Sequence, residues 1–429
     1  MGMRERMRGF RELVTVQAAV ARLRSSISHR INELEEVDLL SAPGRICGEE
    51  VLAPSDSPPF DRSAMDGYAV VAEDTFGASP VNPIELKILG KVEAGMKPFD
   101  LPKLERGMAI EISTGAPIPP GASAVVPAEF VKKKNHLIEV YQQVHPHQNI
   151  SKQGEDFSKG ELILKRGELI KPWHIGAVAS FGITKLKVLR KPRIALLSTG
   201  NELIEADSPR EPGLIYNSTK PMLAAMLSSV GAQPIDLGIV RDDIDEIKRK
   251  IAEGIRETDG VIVTGGTSVG ARDLVPEAIS KIGRIEVHGL SIRPGKPTGF
   301  AIVDGKPVFM LSGFPVAALI GFQVLVKPAI EQLLECRFDP LPKIRGKLTR
   351  RVASPPRIRS FVRVKVFMGR GGEVLIEPLR VTGSGILSTL TRGNGVLVIP
   401  EDLEGYEEGE EVEVELFSHL TESDERGRI

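Results

Sequence analysis

Loops that follow predicted strands between residues 185 and 336 carry side chains suited to phosphate, oxyanion and metal chemistry. The carboxyl ends of parallel strands meet at one edge of a sheet, so we expect these loops to converge there. In chain order the loops contain Ser198-Thr199-Gly200-Asn201-Glu202, Arg241-Asp242-Asp243, Thr264-Gly265-Gly266-Thr267-Ser268, Arg293-Pro294-Gly295-Lys296 and Ser312-Gly313-Phe314-Pro315.

Several of these residues have a clear use at such an edge. The pair Gly265-Gly266 can present backbone N–H groups to a phosphate, beside the start of the next helix. Arg293 and Lys296 stand in a stiff Pro-Gly loop, and two cations held in this way suit an oxyanion. Glu202 and Asp273 are hard oxygen ligands suited to a Mg²⁺ ion that bridges phosphates.

Each motif alone also has an ordinary structural explanation. A GGxxxG stretch is a turn more often than a phosphate site, and Asp242-Asp243 before a helix is more often an N-cap. The 293–296 loop is equally compatible with a solvated turn. The sequence contains no GxxxxGK[ST] motif, which disfavours a P-loop kinase or ATPase. The conjunction of the loops at one predicted edge is what favours a binding cleft.

Length and composition narrow the class of protein. The chain has 429 residues, and one core stops growing near roughly 250–300 residues, so we expect two or more domains. Its 56 basic and 57 acidic residues leave a net charge of −1, which disfavours a nucleic-acid binder. We interpret Lys132-Lys133-Lys134 as a solvated loop. Cys47 and Cys336 are too few for a disulfide framework or a four-thiolate zinc site, so we expect two buried thiols, as fits a reducing cytoplasm.

One segment imitates a membrane span. Residues 308–326 form a run of nineteen without a charge, about the length that a bilayer requires. Ser312, Gly313 and Pro315 break the run, so we predict a strand over 308–311 and a buried helix from Val316 to about Leu334. The Arg-rich start of the chain is not followed by an apolar stretch, which disfavours a signal peptide. We therefore expect no association with a membrane.

The elements around the loops predict three kinds of unit. Residues 185–336 alternate buried strands with helices, which predicts a parallel sheet covered on both faces. Residues 68–144 consist of short strands separated by Gly and Pro, which predicts a mostly β unit. After Pro340 the pattern alternates: Phe361, Arg363 and Lys365 would face one way, and the valines between them the other. This alternation predicts a small β-barrel or sandwich.

Seven motifs occur in a fixed order along the chain. They are FDRSAMDGYAV, STGAPIPPGA, GEDF, ALLSTGNEL, GIVRDD, GGTSVGARD and RPGKP. In this order they resemble the molybdopterin molybdenumtransferase family, which includes MoeA and the gephyrin E domain. The likeness covers about residues 10–420, so it concerns the whole architecture rather than one loop.

The resemblance implies a multidomain α/β protein with a central doubly wound, mostly parallel sheet of the MogA/MoaB type. Members form elongated homodimers, in which the active cleft lies between the central domain of one subunit and parts of the other. The expected domains are an elongated dimerisation domain (residues 10–44 and 146–184), a β-rich inserted domain (45–145), the molybdopterin-binding α/β domain (185–336) and a small C-terminal β-barrel (340–420).

The resemblance also implies a reaction. The family takes adenylylated molybdopterin and molybdate, releases AMP and leaves the metal on the dithiolene, in a Mg²⁺-dependent step of molybdenum cofactor biosynthesis. It further implies a transient contact with the molybdopterin adenylyltransferase. Tungstate is isosteric with molybdate, and the sequence does not separate the two.

The matched motifs carry the family's site residues onto this chain. The implied catalytic residues are Asp66, Glu202, Asp242, Asp273 and Lys296, with Glu202 and Asp273 as the metal ligands. The residues expected to bind molybdopterin or the oxyanion are Thr114, Asp156, Ser198, Thr199, Gly200, Gly265, Gly266, Thr267, Ser268, Arg293, Lys296, Ser312, Gly313, Arg363 and Ser384. Arg363 and Ser384 match the family more loosely than the others.

Two motifs depart from the family pattern. The first lysine of the family's KPGKP is Arg293 here, and the family's LPGNPVS reads LSGFPVA. Phe314 therefore stands where the family has Asn, which removes a side chain that forms hydrogen bonds near the cleft. Metal preference or substrate contacts can differ as a result.

Two competing functions stay open from the sequence. The TGGT…RD stretch also resembles molybdopterin adenylyltransferases and CinA-like pyrophosphatases, although the loop reads TSVG after the glycines and the other domains match the transferase. A non-enzymatic scaffold is the third reading, because the gephyrin E domain also binds a receptor peptide. The intact acidic and basic positions favour a retained activity.

We expect an obligate homodimer. The elongated first domain has too little chain for a core of its own, so its apolar helix face (Val16, Val20 and Leu23) should pack against a partner subunit. Asp66 lies outside the central domain and should reach the cleft of the other subunit.

Overall fold

The structure, a computed structural model, describes residues 13–266, 273–380 and 383–422. A six-stranded sheet with helices on both faces forms its centre. Five of its six strands run in the same direction, and Gly299–Val303 runs opposite to them beside the edge strand, so the mostly parallel sheet is confirmed while the reversed strand was not predicted. In spatial order the strands are Gln233–Val240, Arg193–Thr199, Gly260–Thr264, Lys306–Leu311, Gly299–Val303 and Arg284–His288. The covering helices are Thr219–Ser229, Ile244–Glu257, Leu274–Ser280 and a last one that ends at Leu334.

The uncharged run 308–326 is a strand followed by a buried helix, as predicted. The helix runs from Pro315 to Gly321, passes through a π-helical turn at Phe322–Val326, which was not predicted, and continues as Lys327–Leu334. It is the one helix of the described chain that is long and apolar enough to cross a membrane, and 67% of its most apolar window is buried inside the protein. Its side chains form a core with one face of the central sheet.

The first helix, Val16–Ser26, packs on the central unit of its own chain. Thr15 caps it, since its Oγ1 accepts a hydrogen bond from the N–H of Ala18 at 3.3 Å. Val16, Ala19 and Leu23 are buried in the same core as the π-helical turn. The prediction that this face packs against a partner subunit is wrong, because the apolar stripe is already covered within the chain.

The small first unit has a core of its own, contrary to expectation. Two segments that lie far apart in sequence come together to enclose Ala42, Cys47, Leu164, Ile170 and Val178. Its elements are the antiparallel pair Leu34–Asp38 and Lys185–Leu189, the pair Val51–Leu52 and Leu162–Leu164, and the helix Pro172–Ala179.

Both cysteines are buried, as predicted. Burial raises the pKa of the Cys47 thiol, and it raises the pKa of the Cys336 thiol to about 12. Both side chains are therefore protonated thiols at neutral pH and serve as small apolar residues.

The β-rich unit is a six-stranded sheet with an apolar cluster on each face. The predicted solvated loop at residues 132–134 is instead its outer strand, paired with Leu137–Val140. Lys133 Nζ lies 2.7 Å from Glu111 Oε2, and exposed charges of this kind protect a sheet edge. In spatial order the strands are Ala124–Pro127, Gly67–Val70, Met108–Ile112, Ile84–Val92, Leu137–Val140 and Val131–Lys134.

The C-terminal unit is a closed five-stranded barrel, which confirms the predicted β-barrel. The alternation along its long strand places Val362, Val364 and Val366 in the barrel core. Arg363 departs from the pattern, because it is also buried, at 1% exposure. The barrel strands are Arg359–Met368, Val374–Arg380, Lys343–Leu348, Glu411–Leu416 and Gly395–Ile399, in the order in which they pair around the barrel.

Backbone contacts fix the barrel over the carboxyl edge of the central sheet. The short strand Ile292–Arg293 pairs in parallel with Arg359 and Ser360 of the barrel. The N–H of Val316 donates to the carbonyl of Ser384 at 3.0 Å. The two units therefore share one cleft within a single chain.

Candidate functional site

A cleft of about 950 Å³ lies between the central sheet and the barrel. Each of the five loops predicted to converge at the sheet edge contributes to its wall. One strand and one loop of the barrel complete the wall. The lining residues predicted from sequence are Thr199, Gly200, Glu202, Asp242, Gly265, Gly266, Arg293, Lys296, Ser312, Gly313, Arg363 and Ser384.

The floor of the cleft is a close approach of two backbones. Gly265 and Gly266 have φ of +87° and +60°, a region that favours glycine. A Cβ at Gly265 would lie 2.3 Å from the carbonyl oxygen of Thr199, and one at Gly266 would lie 2.8 Å from Thr199 Oγ1. Thr199 is 2% exposed, and its Oγ1 has no hydrogen-bond partner among the described residues. This buried hydroxyl lies beside the two glycines, and no described residue uses its hydrogen-bonding capacity.

A buried polar network supports the floor from below. The Ser198 and Thr264 hydroxyls lie 2.9 Å apart, and Asn217 Nδ2 donates to Ser198 Oγ at 2.9 Å. Thr219 Oγ1 donates to the carbonyl of Gly313 at 2.7 Å, which ties the start of a helix to another cleft loop. Ser198 therefore positions the floor rather than lining it, and the sequence did not single out Asn217.

One end of the cleft is acidic. Glu202 and Asp242 are both exposed and line the wall. Asn201 joins their loops, since its Oδ1 accepts from the N–H of Asp242 at 3.3 Å and its Nδ2 donates to Asp242 Oδ2 at 3.4 Å. The alternative that Asp242-Asp243 is a helix cap holds for Asp243 alone, whose side chain accepts from the N–H of Glu246 at 2.8 Å.

A buried lysine anchors the loop that carries Glu202. Lys220 is 6% exposed, and its Nζ donates to Glu205 in that loop and to Asp236 at 2.9 Å. Burial alone would lower the pKa of Lys220, but the hydrogen bonds that it donates to Glu205 and Asp236 raise it overall. This role was not predicted, although a lysine in the first turn of an otherwise apolar helix is a signal for it.

The other end of the cleft is cationic. Arg293, Lys296 and Arg363 all line it. Pairing of Ile292–Arg293 with the barrel strand brings Arg293 near Arg363. The Arg363 guanidinium donates to Thr389 Oγ1 at 3.2 Å and to the carbonyl of Phe361 at 3.1 Å. Burial, and then the positive charge of Arg293, lowers the pKa of Arg363. The site thus gathers positive charge around a buried arginine, with Arg293 half-buried and Lys296 exposed, which favours an anionic ligand.

Asp273 does not join the acidic end. Its Oδ2 lies 3.1 Å from Nε2 of His288, and it is not among the described residues that line the cleft. Within the described ranges, no three His, Cys, Asp or Glu side chains are grouped closely enough to hold a metal by themselves. The pairing of Glu202 with Asp273 at one metal stays a prediction, since only Glu202 of the two is among the described residues that line the cleft. Thr267 and Ser268, two predicted binding residues, lie outside the described residues.

Three predicted site residues stand apart from the cleft of their own chain. Asp66 accepts hydrogen bonds from the N–H of Thr114 at 2.7 Å and from Thr114 Oγ1 at 3.0 Å, and these bonds lower the pKa of Asp66. Asp156 is exposed, and its N–H donates to the carbonyl of Ser57 at 3.0 Å. None of the three is among the described residues that line the cleft.

Three family models match the chain in succession. One described as the MoeA N-terminal region (domain I and II) matches residues 14–182, and one described as a probable molybdopterin binding domain matches residues 195–332. The third, described as the MoeA C-terminal region (domain IV), matches residues 345–417. The matches therefore extend over all the units that surround the cleft.

Individual relatives match over most of their length. A putative molybdopterin biosynthesis protein of Methanocaldococcus jannaschii is 40% identical over 422 residues, which are 96% of this chain and 100% of the relative. A Bacillus subtilis protein named molybdopterin molybdenumtransferase is 34% identical over 390 residues, 90% of each chain. The crystal structure of the molybdopterin biosynthesis MoeA protein from Pyrococcus horikoshii OT3 matches with a TM-score of 0.81 and 35% identity, and covers 95% of this chain and 100% of that one.

Proposed function

We propose that this chain, which belongs to the MoeA family of molybdenum cofactor biosynthesis proteins, is a molybdopterin molybdenumtransferase. It would insert molybdate, or the isosteric tungstate, into adenylylated molybdopterin and release AMP. The observation that carries the proposal is the two-ended cleft: acidic side chains at one end, three cations at the other, and a glycine floor between them. This distribution of charge fits a substrate that has a phosphate link in its middle and that reacts with an oxyanion at one end.

The cationic end would hold the incoming oxyanion. Molybdate is a dianion, and its tetrahedral oxygens need several donors at once. Arg293 and Arg363 offer planar forks of N–H groups, and Lys296 offers a point charge. Because Arg363 is buried, its donors are aimed without reorganisation when the oxyanion arrives.

The floor would hold the phosphates that join AMP to molybdopterin. Gly265 and Gly266 bring their backbone close to Thr199, whose hydroxyl needs a partner. A phosphate oxygen supplies an acceptor for such a donor. Thr199 would therefore orient the phosphate link between the two ends.

The acidic end fits a Mg²⁺ ion held between protein and substrate. Mg²⁺ is commonly bound by one or two carboxylates together with substrate phosphates. We propose Glu202 and Asp242 for this role, in place of the pair Glu202 and Asp273, because Asp273 faces His288. When bound, the ion would neutralise charge on the phosphate link.

We further propose a homodimer with a shared site. Asp66, Thr114 and Asp156 carry family motifs, yet none lines the cleft of its own chain. A second subunit would bring Asp66 and Thr114 to the open side of the cleft. The support for this dimer is the position of these residues and not the first helix, whose apolar face is covered within the chain. Mixing Asp66→Asn with Asp242→Asn chains, at a Mg²⁺ concentration too low for the Asp242→Asn protein alone, should restore activity; subunit exchange without recovery would contradict a shared site.

Two other functions are less well supported. An adenylyltransferase or a CinA-like pyrophosphatase would need only the central domain, whereas the curated relatives match the chain along most of its length. A scaffold without activity has no need of a buried cation in the cleft. We also propose a cytoplasmic location, consistent with two free cysteines, and a transient contact with the adenylyltransferase that supplies the substrate.

An assay with adenylylated molybdopterin separates these functions. The purified protein should release AMP only when molybdate and Mg²⁺ are both present. Production of adenylylated molybdopterin from molybdopterin and ATP would support the adenylyltransferase instead. Release of AMP that is independent of molybdate would support the pyrophosphatase, and no turnover of either substrate would support the scaffold.

A further inference from the structure

Phe314 presents an exposed aromatic ring on a rigid backbone inside the cleft. The side chain lines the cleft, yet the residue is 60% exposed. Its N–H donates to Ser312 Oγ at 3.2 Å, and its carbonyl accepts from the N–H of Ala318 at 2.9 Å. Phe314 is the N-cap residue of the helix, and Pro315 follows it. A large apolar side chain is therefore exposed on a backbone that two hydrogen bonds hold at the start of a helix.

The barrel confines one edge of the ring. A Cβ at Gly385 would lie 3.0 Å from Cδ1 and 3.5 Å from Cε1 of Phe314. The hydrogen bond from Val316 to Ser384 holds this barrel loop against the start of the helix. Glycine at position 385 thus leaves just enough room for the ring, while the rest of the ring surface remains open.

The helix that Phe314 begins lies beside the loop that carries Arg293 and Lys296. A Cβ at Gly295 in that loop would lie 3.4 Å from the carbonyl oxygen of Ala317 in the helix. Tyr216, in contrast, belongs to the strand pair that follows the acidic Glu202 loop. Phe314 is therefore associated with the cationic end of the cleft, and Tyr216 with the acidic end.

We propose that Phe314 is a specificity-determining residue that stacks against the flat face of the pterin ring of the substrate. This inference rests on the proposed function, in which the cations hold the oxyanion that joins the dithiolene. The dithiolene is attached to the pterin half of the molecule, so the pterin lies beside the cations and the adenosine lies toward the acidic end. A phenyl ring offers no hydrogen bond, and it selects a flat ring through contact area alone.

The stacking contact has a measurable size. Stacking of a heteroaromatic base on an aromatic side chain is commonly worth enough to change affinity about tenfold or more when the side chain is removed. Phe314→Ala should therefore weaken pterin binding about tenfold, and Phe314→Tyr should preserve it. The affinity for AMP should stay the same in both variants, because the adenosine half does not touch this ring.

The probe is free 6-hydroxymethylpterin, titrated against the full-length protein by its own fluorescence, with AMP binding measured by calorimetry. Gly385→Ala provides a matched control, because its Cβ would displace the ring. It should weaken pterin binding in the parent protein and have no further effect in Phe314→Ala. Unchanged pterin affinity in Phe314→Ala, no measurable pterin binding by the parent, or an equal effect of Gly385→Ala in both backgrounds would overturn the proposal. Thermal unfolding of each variant shows that the loss is not one of folding.

Molybdate-dependent AMP release by the parent protein separates this inference from the proposed function. If the parent releases AMP and Phe314→Ala keeps its pterin affinity, the stacking role alone fails. If Phe314→Ala loses pterin affinity and the parent releases no AMP, the contact is supported and the transferase is overturned.

Discussion

At the acidic end of the cleft, Glu202 and Asp242 are exposed and project from loops. At the cationic end, Arg363 is 1% exposed in a barrel strand, and Arg293 lies in a short strand paired with it. The two arginines are therefore arranged before any ligand arrives, at a cost in stability for the buried Arg363, whereas the carboxylates are solvated and depend on a ligand or metal ion to order them. Lys296 is exposed like the carboxylates. Substitutions at the two ends should consequently differ both in their effect on catalysis and in their effect on folding.

The largest effect is expected from Arg363→Met. Loss of a buried fork of charged donors should weaken the use of molybdate about a hundredfold, at about 1.5–3 kcal/mol for each charged hydrogen bond. The lowered pKa of Arg363 means that its charged form costs folding free energy at every pH below the folded-state pKa. The melting temperature should therefore hold or rise while activity falls. Molybdate titration and calorimetry check this, and a large drop in melting temperature would show that Arg363 is mainly structural.

Lys296→Ala should have the next largest effect, a molybdate requirement raised about tenfold to a hundredfold. Arg293→Lys restores the residue of the family pattern, so it should be tolerated better than Arg293→Ala. Molybdate dependence of AMP release in the three variants measures this. If Lys296→Ala needs the same molybdate concentration as the parent, the 293–296 loop is only a solvated turn.

At the acidic end, adjacent residues form a matched pair. Asp242→Asn should raise the Mg²⁺ concentration needed for AMP release about tenfold, the equivalent of about 1.4 kcal/mol. Asp243→Asn removes a charged cap that accepts from Glu246, and should change stability by about 1 kcal/mol or less with no change in the Mg²⁺ requirement. Equal effects of the two variants on the Mg²⁺ requirement would contradict the assignment of Asp242 to the metal and of Asp243 to the helix cap.

Lys220→Met should have the smallest effect on catalysis, a few-fold loss, because Lys220 acts only by anchoring the Glu202 loop through Glu205. Its pKa is raised in the folded protein, so its stabilising contribution is complete below the unfolded value and is lost as pH rises through the folded value. The free energy of unfolding should thus fall above about pH 10 in the parent and change less there in Lys220→Met. If the free energy of unfolding depends on pH in the same way in the parent and in Lys220→Met, this role is contradicted.

The sequence predicted the positions of residues that follow strands, because a parallel sheet brings strand ends to one edge whatever the surrounding contacts. Glu202, Gly265 and Lys296 reach the cleft for this reason. Arg363 was expected on the same side as Phe361 and Lys365, outside the barrel core. Its burial follows from the pairing of the barrel with Ile292–Arg293, a long-range contact that local alternation does not encode.

Other features could not be predicted, because they depend on which helix or strand packs against which. The periodicity of the first helix identified its apolar face, yet not that the central unit of the same chain covers Val16 and Leu23. Asp273 was placed at the cleft by its motif, whereas its Oδ2 lies 3.1 Å from Nε2 of His288, at the end of an edge strand that was not predicted. The pattern within one segment thus predicts its apolar face or its place at a sheet edge. Tertiary packing decides which other element lies against that face or edge.

The separation of the two ends can be measured directly in one crystal grown with AMP and tungstate. Anomalous scattering locates the tungsten, and ordinary density locates the AMP phosphate. We predict tungstate within hydrogen-bond distance of Arg363 and Lys296, with the phosphate over Gly265 and Gly266 toward Glu202. Tungstate and phosphate bound at the same end, or tungstate bound away from the three cations, would contradict this prediction.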